Sequence, residues 1–339
     1  KTKEFLDKGW YILGNEVKQF EQSFAQYSNA KHCIGVGNGL DALVLILKAY
    51  IQLGNLQKGD EVIVPANTYI ASVLAILQAD LVPVFVEPNI ETYNINPDLI
   101  EEKITSKTKA ILLVHLYGQL AEMDAIIELS NQYNLLIIED AAQAHGLAFK
   151  GSHARAFSFY PGKNLGALGD GGAITTDNDI LAEVLFSLRN YGSNKKYHND
   201  YIGVNSRLDE LQAAFLSIKL PSLNAENESR QKVAKRYLAE IKNSKIVLPT
   251  CDNFDKHVFH LFVIRTENRD DLQEYLFKNG IETIIHYPIP PHKQKALSDF
   301  NHLSLPITEK IHQEVLSLPI SSALTNEEIS NIITTLNCY

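Results

Sequence analysis

Leu135-Leu-Ile-Ile-Glu139-Asp140 is an apolar run that ends abruptly in two acids. A short segment that is apolar throughout predicts a strand buried on both faces, as in a parallel sheet. Ligands of such sheets bind at the carboxyl ends of the strands, and here that end is Asp140. The run therefore predicts an α/β fold and the edge of the sheet at which a site would lie.

The first two thirds of the chain alternate between short apolar runs and amphipathic segments with helical periodicity. Strands separated by helices in this way indicate a mostly parallel sheet that helices cover on both faces. The predicted strands are 62–64, 82–86, 110–114, 135–139 and 173–176. The predicted helices are 41–50, 69–79, 124–133 and 180–188. We therefore expect a large α/β domain over residues 1–224.

A smaller α+β domain is predicted for residues 225–339. Pro221 follows a predicted helix at 206–220, and a long polar helix at 224–241 would connect the two domains. Farther along the chain, the predicted strands are 258–264 and 281–285, and the predicted helices are 307–316 and 325–336.

Composition excludes several classes of protein. The chain of 339 residues carries a formal net charge of −9, which argues against a nucleic-acid-binding protein. Its three cysteines, Cys33, Cys251 and Cys338, are far apart, so neither a disulfide framework nor a metal site is supported. The sequence contains no apolar run long enough for a membrane span and no recognisable signal peptide. We therefore expect a cytoplasmic protein that binds neither membranes nor nucleic acid.

The segment Ser158-Phe-Tyr-Pro-Gly-Lys163-Asn164 places a lysine in a Gly- and Pro-containing loop downstream of Asp140. Enzymes that use pyridoxal phosphate need a lysine for the Schiff base and an acid that faces the pyridine nitrogen. Burial and a nearby cation lower the pKa of a lysine, so that its amine becomes a nucleophile and a proton carrier. Lys163 and Asp140 therefore predict a pyridoxal phosphate site, in which Gln143 would donate to the phenolic oxygen of the cofactor.

The segment Gly35-Val-Gly37-Asn-Gly39-Leu40-Asp41 precedes an amphipathic helix and suits a phosphate group. Glycines let the backbone approach an anion, and the free N–H groups of a first helical turn bind phosphate. The spacing matches neither a P-loop nor a complete GxGxxG motif, because position 40 is Leu. Ser158 would add a hydroxyl to the same phosphate, and Tyr69 would stack on the pyridine ring.

Each of these residues also has an ordinary structural explanation. Lys163 fits a surface lysine in a turn, and Asp140 fits the N-cap of a helix. Gln143 and Ser158 fit polar residues that face solvent, and Tyr69 fits a core aromatic. The order and spacing of the whole set, rather than any single residue, favour the cofactor site.

The same residues lie in motifs that resemble the DegT/DnrJ/EryC1/StrS sugar aminotransferases, and the resemblance covers essentially the whole chain. The matching segments are 37–43, 65–69, 115–118, 139–143, 158–163, 169–173, 205–213 and 286–288. The resemblance implies a fold-type I pyridoxal phosphate transferase. Its large domain would hold a mostly parallel sheet covered by helices, and its smaller C-terminal domain would be α+β.

The resemblance also implies a role for each cofactor residue. Lys163 would form the Schiff base and move the proton, while Asp140 would pair with the pyridinium and Gln143 with the phenolic oxygen. Tyr69 would stack on the ring. The backbone N–H groups at Gly39 and Leu40 would bind the phosphate together with Ser158. Most members of the family have Ser or Thr near position 40, so only the backbone role transfers to Leu40.

A homodimer with shared active sites follows from the resemblance, because Asn205 would reach the phosphate from the partner subunit. The residues implied for the substrate are Tyr160, Arg207, His286 and Tyr287. The segment 160–173 is similar to the subgroup that aminates C3 of 3-keto sugar nucleotides. The implied reaction moves an amino group from L-glutamate to a dTDP-3-keto-6-deoxyhexose, in the synthesis of deoxyamino sugars for surface glycans.

Other functions remain open within this fold and outside it. An aminotransferase for 4-keto sugar nucleotides differs only in how the sugar is placed. Related dehydratases have histidine in place of the lysine, and Lys163 argues against them. A non-catalytic regulator that binds DNA would need a basic helix-turn-helix segment, which the acidic sequence does not contain. A dehydrogenase is disfavoured because the GxGxxG context is incomplete.

Overall fold

The computed structural model describes Asp7, residues 9–147 and residues 151–339. A seven-stranded sheet forms its centre. The strands are β1 (His32–Val36), β2 (Glu61–Pro65), β3 (Val82–Val86), β4 (Thr108–Val114), β5 (Leu136–Asp140), β6 (Ala154–Ser158) and β7 (Gly172–Thr176). Their order in the sheet is β1-β7-β6-β5-β4-β2-β3, and β7 runs antiparallel to both of its neighbours while the other pairs are parallel. The predicted mostly parallel sheet is confirmed.

Helices alternate with these strands and then extend into the C-terminal part. They are α1 (Asn15–Tyr27), α2 (Gly39–Gln52), α3 (Ile70–Gln78), α4 (Met123–Tyr133), α5 (Asp179–Leu188), α6 (Glu210–Lys219), α7 (Leu223–Glu240), α8 (Arg269–Lys278), α9 (Pro306–Glu314) and α10 (Asn326–Cys338). Short 3-10 helices lie at Pro97–Leu99, Glu101–Lys103, Leu116–Gly118, Leu220–Ser222, Phe254–Lys256, Pro291–Lys293 and Lys295–Phe300. Within the described residues, no helix is both long and apolar enough to span a membrane.

Hydrophobic side chains cover both faces of the sheet. Successive residues of a strand point to opposite faces, and in β4 Leu112 belongs to one core cluster whereas Ile111 and Leu113 belong to another. All three side chains are fully buried. This explains why the strands in the middle of the sheet are apolar throughout rather than alternating.

The carboxyl ends of the parallel strands gather several polar residues at one edge of the sheet. β5 ends at Asp140, β6 ends at Ser158, and His115 directly follows β4. The loop that begins at Gly37 directly follows β1, and Ser158 pairs with Gly172 at the start of β7. The topology therefore brings the predicted acid, hydroxyl and phosphate loop to the same edge.

The C-terminal part has a core of its own. The strands β10 (Phe262–Arg265) and β11 (Val315–Leu318) form an antiparallel pair. Helices α7, α8 and α10 contribute to the hydrophobic cluster around this pair. The carboxylate of Glu87, just beyond β3, accepts hydrogen bonds from the N–H groups of Ile307 at 2.8 Å and Thr308 at 2.9 Å. This contact at the start of α9 joins the C-terminal part to the large sheet. The domain boundary between residues 224 and 225 stays a prediction.

The predicted strands and helices of the large sheet are confirmed with small shifts at their ends. The strands β1 and β6 and the helices α1 and α8 were not predicted. β1 contains His32 and Gly35, and β6 contains Arg155 between two alanines, so neither segment has the apolar character of a buried strand. A two-stranded hairpin of β8 (Ser193–Lys195) and β9 (His198–Asn199) was missed for the same reason.

Several predicted segments were wrong in part. Residues 206–209 are not helical, because Ser206 donates its N–H to the carbonyl oxygen of Arg189 and Asp209 bridges to Ile12. The predicted strand at 258–264 begins only at Phe262, since Phe259 has a left-handed φ of 45°. Val315 and Leu316 belong to β11 rather than to a helix, because they pair with β10.

The predicted strand at 281–285 is also wrong. Ile284 forms only a single bridge, to Ser317 in β11. Prolines follow at 288, 290 and 291, and a proline has no N–H with which to continue the pairing. The segment therefore leads directly into the loop that holds His286 and Tyr287.

Candidate active site

Asp140 is a buried acid with two donors directed at its carboxylate. The hydroxyl of Ser72, in the first turns of α3, donates to Oδ2 at 2.8 Å, and the N–H of Ala142 donates to Oδ1 at 3.1 Å. Burial raises the pKa of Asp140, while these two hydrogen bonds and the nearby positive charge of Lys163 lower it in part. A positive group placed against this carboxylate would stabilise its charged form.

Lys163 lies in a tight loop after β6. Its N–H donates to the carbonyl oxygen of Tyr160 at 2.8 Å, and the N–H of Ala167 donates to the carbonyl oxygen of Phe159 at 2.8 Å. The side chain is half-buried. Burial lowers the pKa of Lys163, and the charge of Asp140 opposes that effect. A lysine in this environment has a larger fraction of neutral, nucleophilic amine than an exposed lysine has.

The Gly37–Gly39 loop leads into the start of α2, where the phosphate was predicted to bind. Asn38 caps the helix, and its Oδ1 accepts the N–H of Asp41 at 2.8 Å. Among the described residues, the N–H groups of Gly39 and Leu40 have no acceptor, as expected for the first turn of a helix. A Cβ on Gly39 would lie 2.7 Å from the Cβ of Ser158, so only glycine lets the two segments approach this closely. Two free N–H groups and a serine hydroxyl therefore lie close together.

Gln143 is oriented by hydrogen bonds on both sides of its amide. Its Oε1 accepts the N–H of Tyr117 at 2.5 Å, and its Nε2 donates to the hydroxyl of Tyr287 at 3.2 Å. The carbonyl group of the amide is held against the backbone, and the NH₂ group faces the side on which Tyr287 lies. The ring of Tyr287 lies 5.1 Å from that of Tyr69, which follows the Pro65 segment and caps α3.

The predicted substrate residues fall into two groups. His286 and Tyr287 lie beside Gln143, since the carbonyl oxygen of His286 accepts the hydroxyl of Tyr117 at 2.5 Å and its Nδ1 is 2.8 Å from the hydroxyl of Ser317. Tyr160 precedes Lys163 in the same loop and is exposed.

Arg207 is the remaining predicted substrate residue, and it lies in one segment with Asn205, which was predicted to reach the cofactor phosphate of the partner subunit. Arg207 donates to Oδ1 of Asn190 at 2.9 Å and lies over the ring of Tyr191, while Asn205 is exposed. The contacts that Arg207 makes do not bring it together with Lys163. The next residue, Ser206, accepts the N–H of Gly37 at 2.9 Å and donates to Asp41 at 2.6 Å, so this segment borders the phosphate loop.

Three buried or half-buried histidines, His145, His260 and His286, lie near Lys163, and only His286 was predicted from the sequence. Burial lowers the pKa of His145 to about 3 and that of His286 to about 4, and the pKa of His260 also falls well below its ordinary value. The positive charge of Lys163 lowers all three further. These rings are neutral at pH 7, so they do not add positive charge around the lysine.

Replacement of His145 by phenylalanine should reduce the sensitivity of the protein to acid. The ring of His145 packs 5.6 Å from Phe157 and 5.7 Å from Phe159, so a phenyl ring suits its surroundings. The pKa of His145 is about 3 in the folded protein, whereas an ordinary histidine has a pKa of about 6.5. The unfolded chain therefore binds an extra proton below pH 6.5, and the free energy of unfolding falls as the pH falls toward 3.

Urea unfolding at pH 7 and pH 5 measures this effect. From pH 7 to pH 5, the free energy of unfolding of the wild type should fall by about 2 kcal/mol more than that of the His145→Phe variant. An equal loss in both proteins would show that His145 is not kept neutral by the fold.

These residues fit pyridoxal phosphate. The close approach of Gly39 to Ser158, which a side chain at position 39 would prevent, places free N–H groups near a serine hydroxyl, and these donors suit a phosphate. The buried carboxylate of Asp140 suits a cationic ring nitrogen, and the lowered pKa of Lys163 suits imine formation. When bound, pyridoxal phosphate supplies an electron sink for the bond that breaks at the substrate carbon.

Comparisons with known proteins agree with this geometry. The sequence matches the DegT/DnrJ/EryC1/StrS aminotransferase family over residues 1–337. It is 58% identical to a dTDP-3-amino-3,6-dideoxy-alpha-D-galactopyranose transaminase of Aneurinibacillus thermoaerophilus, over 98% of this chain and 93% of that protein.

Two solved structures have the same fold. The structure of S. venezuelae DesV in complex with a ketimine intermediate superposes with a TM-score of 0.95 at 45% identity, covering 99% of this chain and 92% of that chain. The structure of NtdA from Bacillus subtilis with bound cofactor PMP, the amine form of pyridoxal phosphate, superposes with a TM-score of 0.92 at 37% identity, covering 98% of this chain and 79% of that chain.

The match over nearly the whole chain confirms the expected fold-type I architecture and the pyridoxal phosphate cofactor. The chain therefore belongs to the DegT/DnrJ/EryC1/StrS family, and it is an aminotransferase of that family.

Proposed function

We propose that this aminotransferase moves an amino group from L-glutamate to C3 of a dTDP-3-keto-6-deoxyhexose, in the synthesis of deoxyamino sugars for surface glycans. The observation that carries the proposal is the identity of 58%, over 98% of the chain, with a transaminase named for a dTDP-3-amino-3,6-dideoxyhexose. The motif after Lys163, which resembles 3-keto sugar enzymes, supports the same position on the sugar.

Lys163 would act as the proton carrier of the reaction. Its lowered pKa lets Nζ take a proton from the Cα of the amino donor and return a proton to C3 of the sugar. Asp140 would keep the ring nitrogen of the cofactor cationic, with Ser72 and the N–H of Ala142 holding its carboxylate in place. The polar partners of this acid are buried with it, so its charge acts with little screening by water.

The remaining cofactor residues would bind rather than react. The NH₂ group of Gln143 would donate to the phenolic oxygen, since its carbonyl group already accepts the N–H of Tyr117. Gly39, Leu40 and Ser158 would hold the phosphate. The ring of Tyr69 would stack on the pyridine ring, close to Tyr287.

We further propose that the sugar nucleotide binds where the exposed Tyr160 and the half-buried His286 and Tyr287 border Lys163. The neutral ring of His286 can donate or accept a hydrogen bond with a sugar hydroxyl. Arg207 would bind an anionic group of the substrate in the site of the partner subunit.

Product analysis tests the proposed reaction. The purified protein is incubated with L-glutamate labelled with ¹⁵N and a dTDP-3-keto-6-deoxyhexose, and the sugar product is examined by NMR. We expect ¹⁵N at C3 and an equal amount of 2-oxoglutarate. Incorporation only with a 4-keto sugar, and only at C4, would overturn the proposed position.

A homodimer with shared active sites is part of the proposal. Several large apolar side chains are exposed near the hairpin and the N-terminal segment, including Trp10 at 65%, Tyr197 at 86% and Ile202 at 94%. Exposed apolar residues of this size often mark an interface. Asn205 is also exposed and would reach the phosphate of the partner subunit.

Complementation between two inactive variants tests this arrangement. Lys163→Ala and Asn205→Leu are each expected to be nearly inactive, but a dimer that contains one of each has one intact site. After unfolding and refolding of an equal mixture, we expect about a quarter of the wild-type activity, because half of the dimers are mixed and each carries one working site. If the mixture stays as inactive as its components, Asn205 does not act across the dimer.

A cytoplasmic location is also proposed, as expected for a protein whose substrates are nucleotide sugars and glutamate. Fractionation of cells tests this, and recovery of the protein with the cell envelope would contradict it.

A further inference from the structure

Asn164, the residue after Lys163, is almost fully buried, with 4% of its surface exposed. Its side-chain NH₂ group donates to Oδ1 of Asn227 at 2.8 Å and to the carbonyl oxygen of Val258 at 3.2 Å. Its Oδ1 lies 3.0 Å from Nδ1 of His260. The NH₂ group of Asn164 therefore donates two hydrogen bonds, and its carbonyl oxygen accepts a third.

The partners of this amide fix the direction of every hydrogen bond. Asn227 donates its own NH₂ group to the carbonyl oxygen of His145 at 2.8 Å, so its Oδ1 must face Asn164. The NH₂ group of Asn164 must then face Asn227, and its Oδ1 needs a donor. His260 therefore carries its proton on Nδ1.

The result is a chain of hydrogen bonds with one direction, from His260 through Asn164 and Asn227 to the backbone of His145. Gly146 makes room for it, because a Cβ at that position would lie 2.5 Å from Nδ2 of Asn227. The side chains are nearly fully buried, with 6% of Asn227 and 9% of His260 exposed. Hydrogen bonds that are aligned and buried in this way strengthen one another and resist displacement.

The chain joins three separate parts of the molecule. Asn164 belongs to the lysine loop, Asn227 lies in α7, and His260 precedes β10 in the C-terminal part. The backbone N–H of Lys163 itself donates to the carbonyl oxygen of Tyr160, which precedes it in the loop. The backbone around Lys163 is therefore held from both sides.

We propose that Asn164 is a positioning residue for Lys163, and that Asn227 and His260 set its orientation. This inference rests on the proposed role of Lys163 in proton transfer. An error of about 1 Å in the position of a catalytic group costs about 10²-fold in rate. A lysine on a loose loop would sample such errors, and the buried amide of Asn164 prevents them without touching the substrate.

Two sets of variants test the proposal in the enzyme loaded with pyridoxal phosphate. Asn164→Asp keeps the shape of the side chain but turns an oxygen toward the acceptors on Asn227 and Val258. His260→Leu removes the donor to Asn164, whereas His260→Asn keeps one, since the amide nitrogen of asparagine superposes on Nδ1 of histidine. Asn243→Asp serves as the matched control. Its amide also donates to a carbonyl oxygen distant in sequence, that of Leu336, but this hydrogen bond lies within the C-terminal part.

We expect Asn164→Asp to lower kcat by about 10²-fold with little change in the KM for glutamate. His260→Leu should lower kcat by about tenfold, and His260→Asn should restore most of it. The pH midpoint of the visible absorption band of the bound cofactor, which reports the surroundings of the lysine, should shift in Asn164→Asp and His260→Leu but not in the control.

Several results would overturn the proposal. One is an Asn164→Asp variant with the kcat and absorption midpoint of the wild type. If that variant does not fold, equal kcat and equal midpoints in His260→Leu and His260→Asn contradict the proposal instead. A Lys163→Ala variant is measured in parallel. If it stays active, the proposed function fails, whereas an inactive Lys163→Ala beside normal Asn164 and His260 variants rejects this inference alone.

Discussion

Replacement of Lys163 by alanine should abolish turnover while leaving the protein folded. The variant loses both the amine that binds the cofactor covalently and the group that carries the proton, so we expect kcat to fall by about 10⁴-fold or more. Within the described residues the carboxylate of Asp140, whose charge acts on Lys163, keeps its hydrogen bonds to Ser72 and Ala142 in the variant, so we expect the variant to fold.

Lys163→Arg separates the chemistry of the lysine from its charge. Arginine keeps a positive charge but stays protonated, so it can neither attack the cofactor nor accept a proton at pH 7. It should be as inactive as the alanine variant. Lys58→Ala, at an exposed lysine that pairs with Asp80 at 2.7 Å, is the control and should keep wild-type activity. Turnover near the wild-type level in either Lys163 variant would contradict the mechanism.

Asp140→Asn should have the second largest effect. The substitution keeps the size of the side chain but removes the charge that would hold the ring nitrogen of the cofactor in its cationic form. Charge stabilisation of this kind contributes about 10²- to 10³-fold in kcat, and we expect a loss of that size. The KM for the sugar nucleotide should change little, because Asp140 would face the ring nitrogen of the cofactor rather than the sugar.

Ser72→Ala gives the matched comparison for Asp140. The variant removes the hydroxyl that donates to the carboxylate at 2.8 Å but leaves the charge in place. A hydrogen bond to a charged group contributes about 1.5–3 kcal/mol, so we expect kcat to fall by about 10- to 10²-fold, less than in Asp140→Asn. Steady-state kinetics of both variants give the two kcat values to be compared. An Asp140→Asn enzyme that is no slower than Ser72→Ala would show that the charge of Asp140 is not used.

The residues at the ends of strands were accessible from the sequence because both their chemistry and their position are local. An apolar run that ends in Asp140 predicts a polar group at the edge of a sheet, and a glycine-rich segment before a helix predicts the anion loop. The structure brings Asp140 and Lys163 close enough to affect each other's pKa. Their catalytic roles stay predictions.

The contacts that orient these residues could not be read from the sequence, because they join distant segments. Ser72 reaches Asp140 across 68 positions, and the N–H of Tyr117 reaches Gln143 across 26. Asn164 meets His260 across 96 positions. A serine in an apolar helix and an asparagine after a lysine carry no local signal for such pairs, and they become visible only when the fold places them together.

The strands that were missed show the same limit. β1 and β6 lie on either side of the antiparallel β7 and pair with it, and β6 also pairs with β5. Short strands with Gly35 or Arg155 in them are not apolar enough to stand out. Pairing within the sheet, rather than local hydrophobicity, determines where they form.

Peptide mapping after borohydride reduction shows which lysine binds the cofactor. Reduction fixes pyridoxal phosphate to whichever lysine holds it, and mass spectrometry of the digested protein identifies that residue. We expect a single labelled peptide that carries the cofactor on Lys163. A label on another lysine, or a protein that takes up no cofactor in the presence of added pyridoxal phosphate, would contradict it.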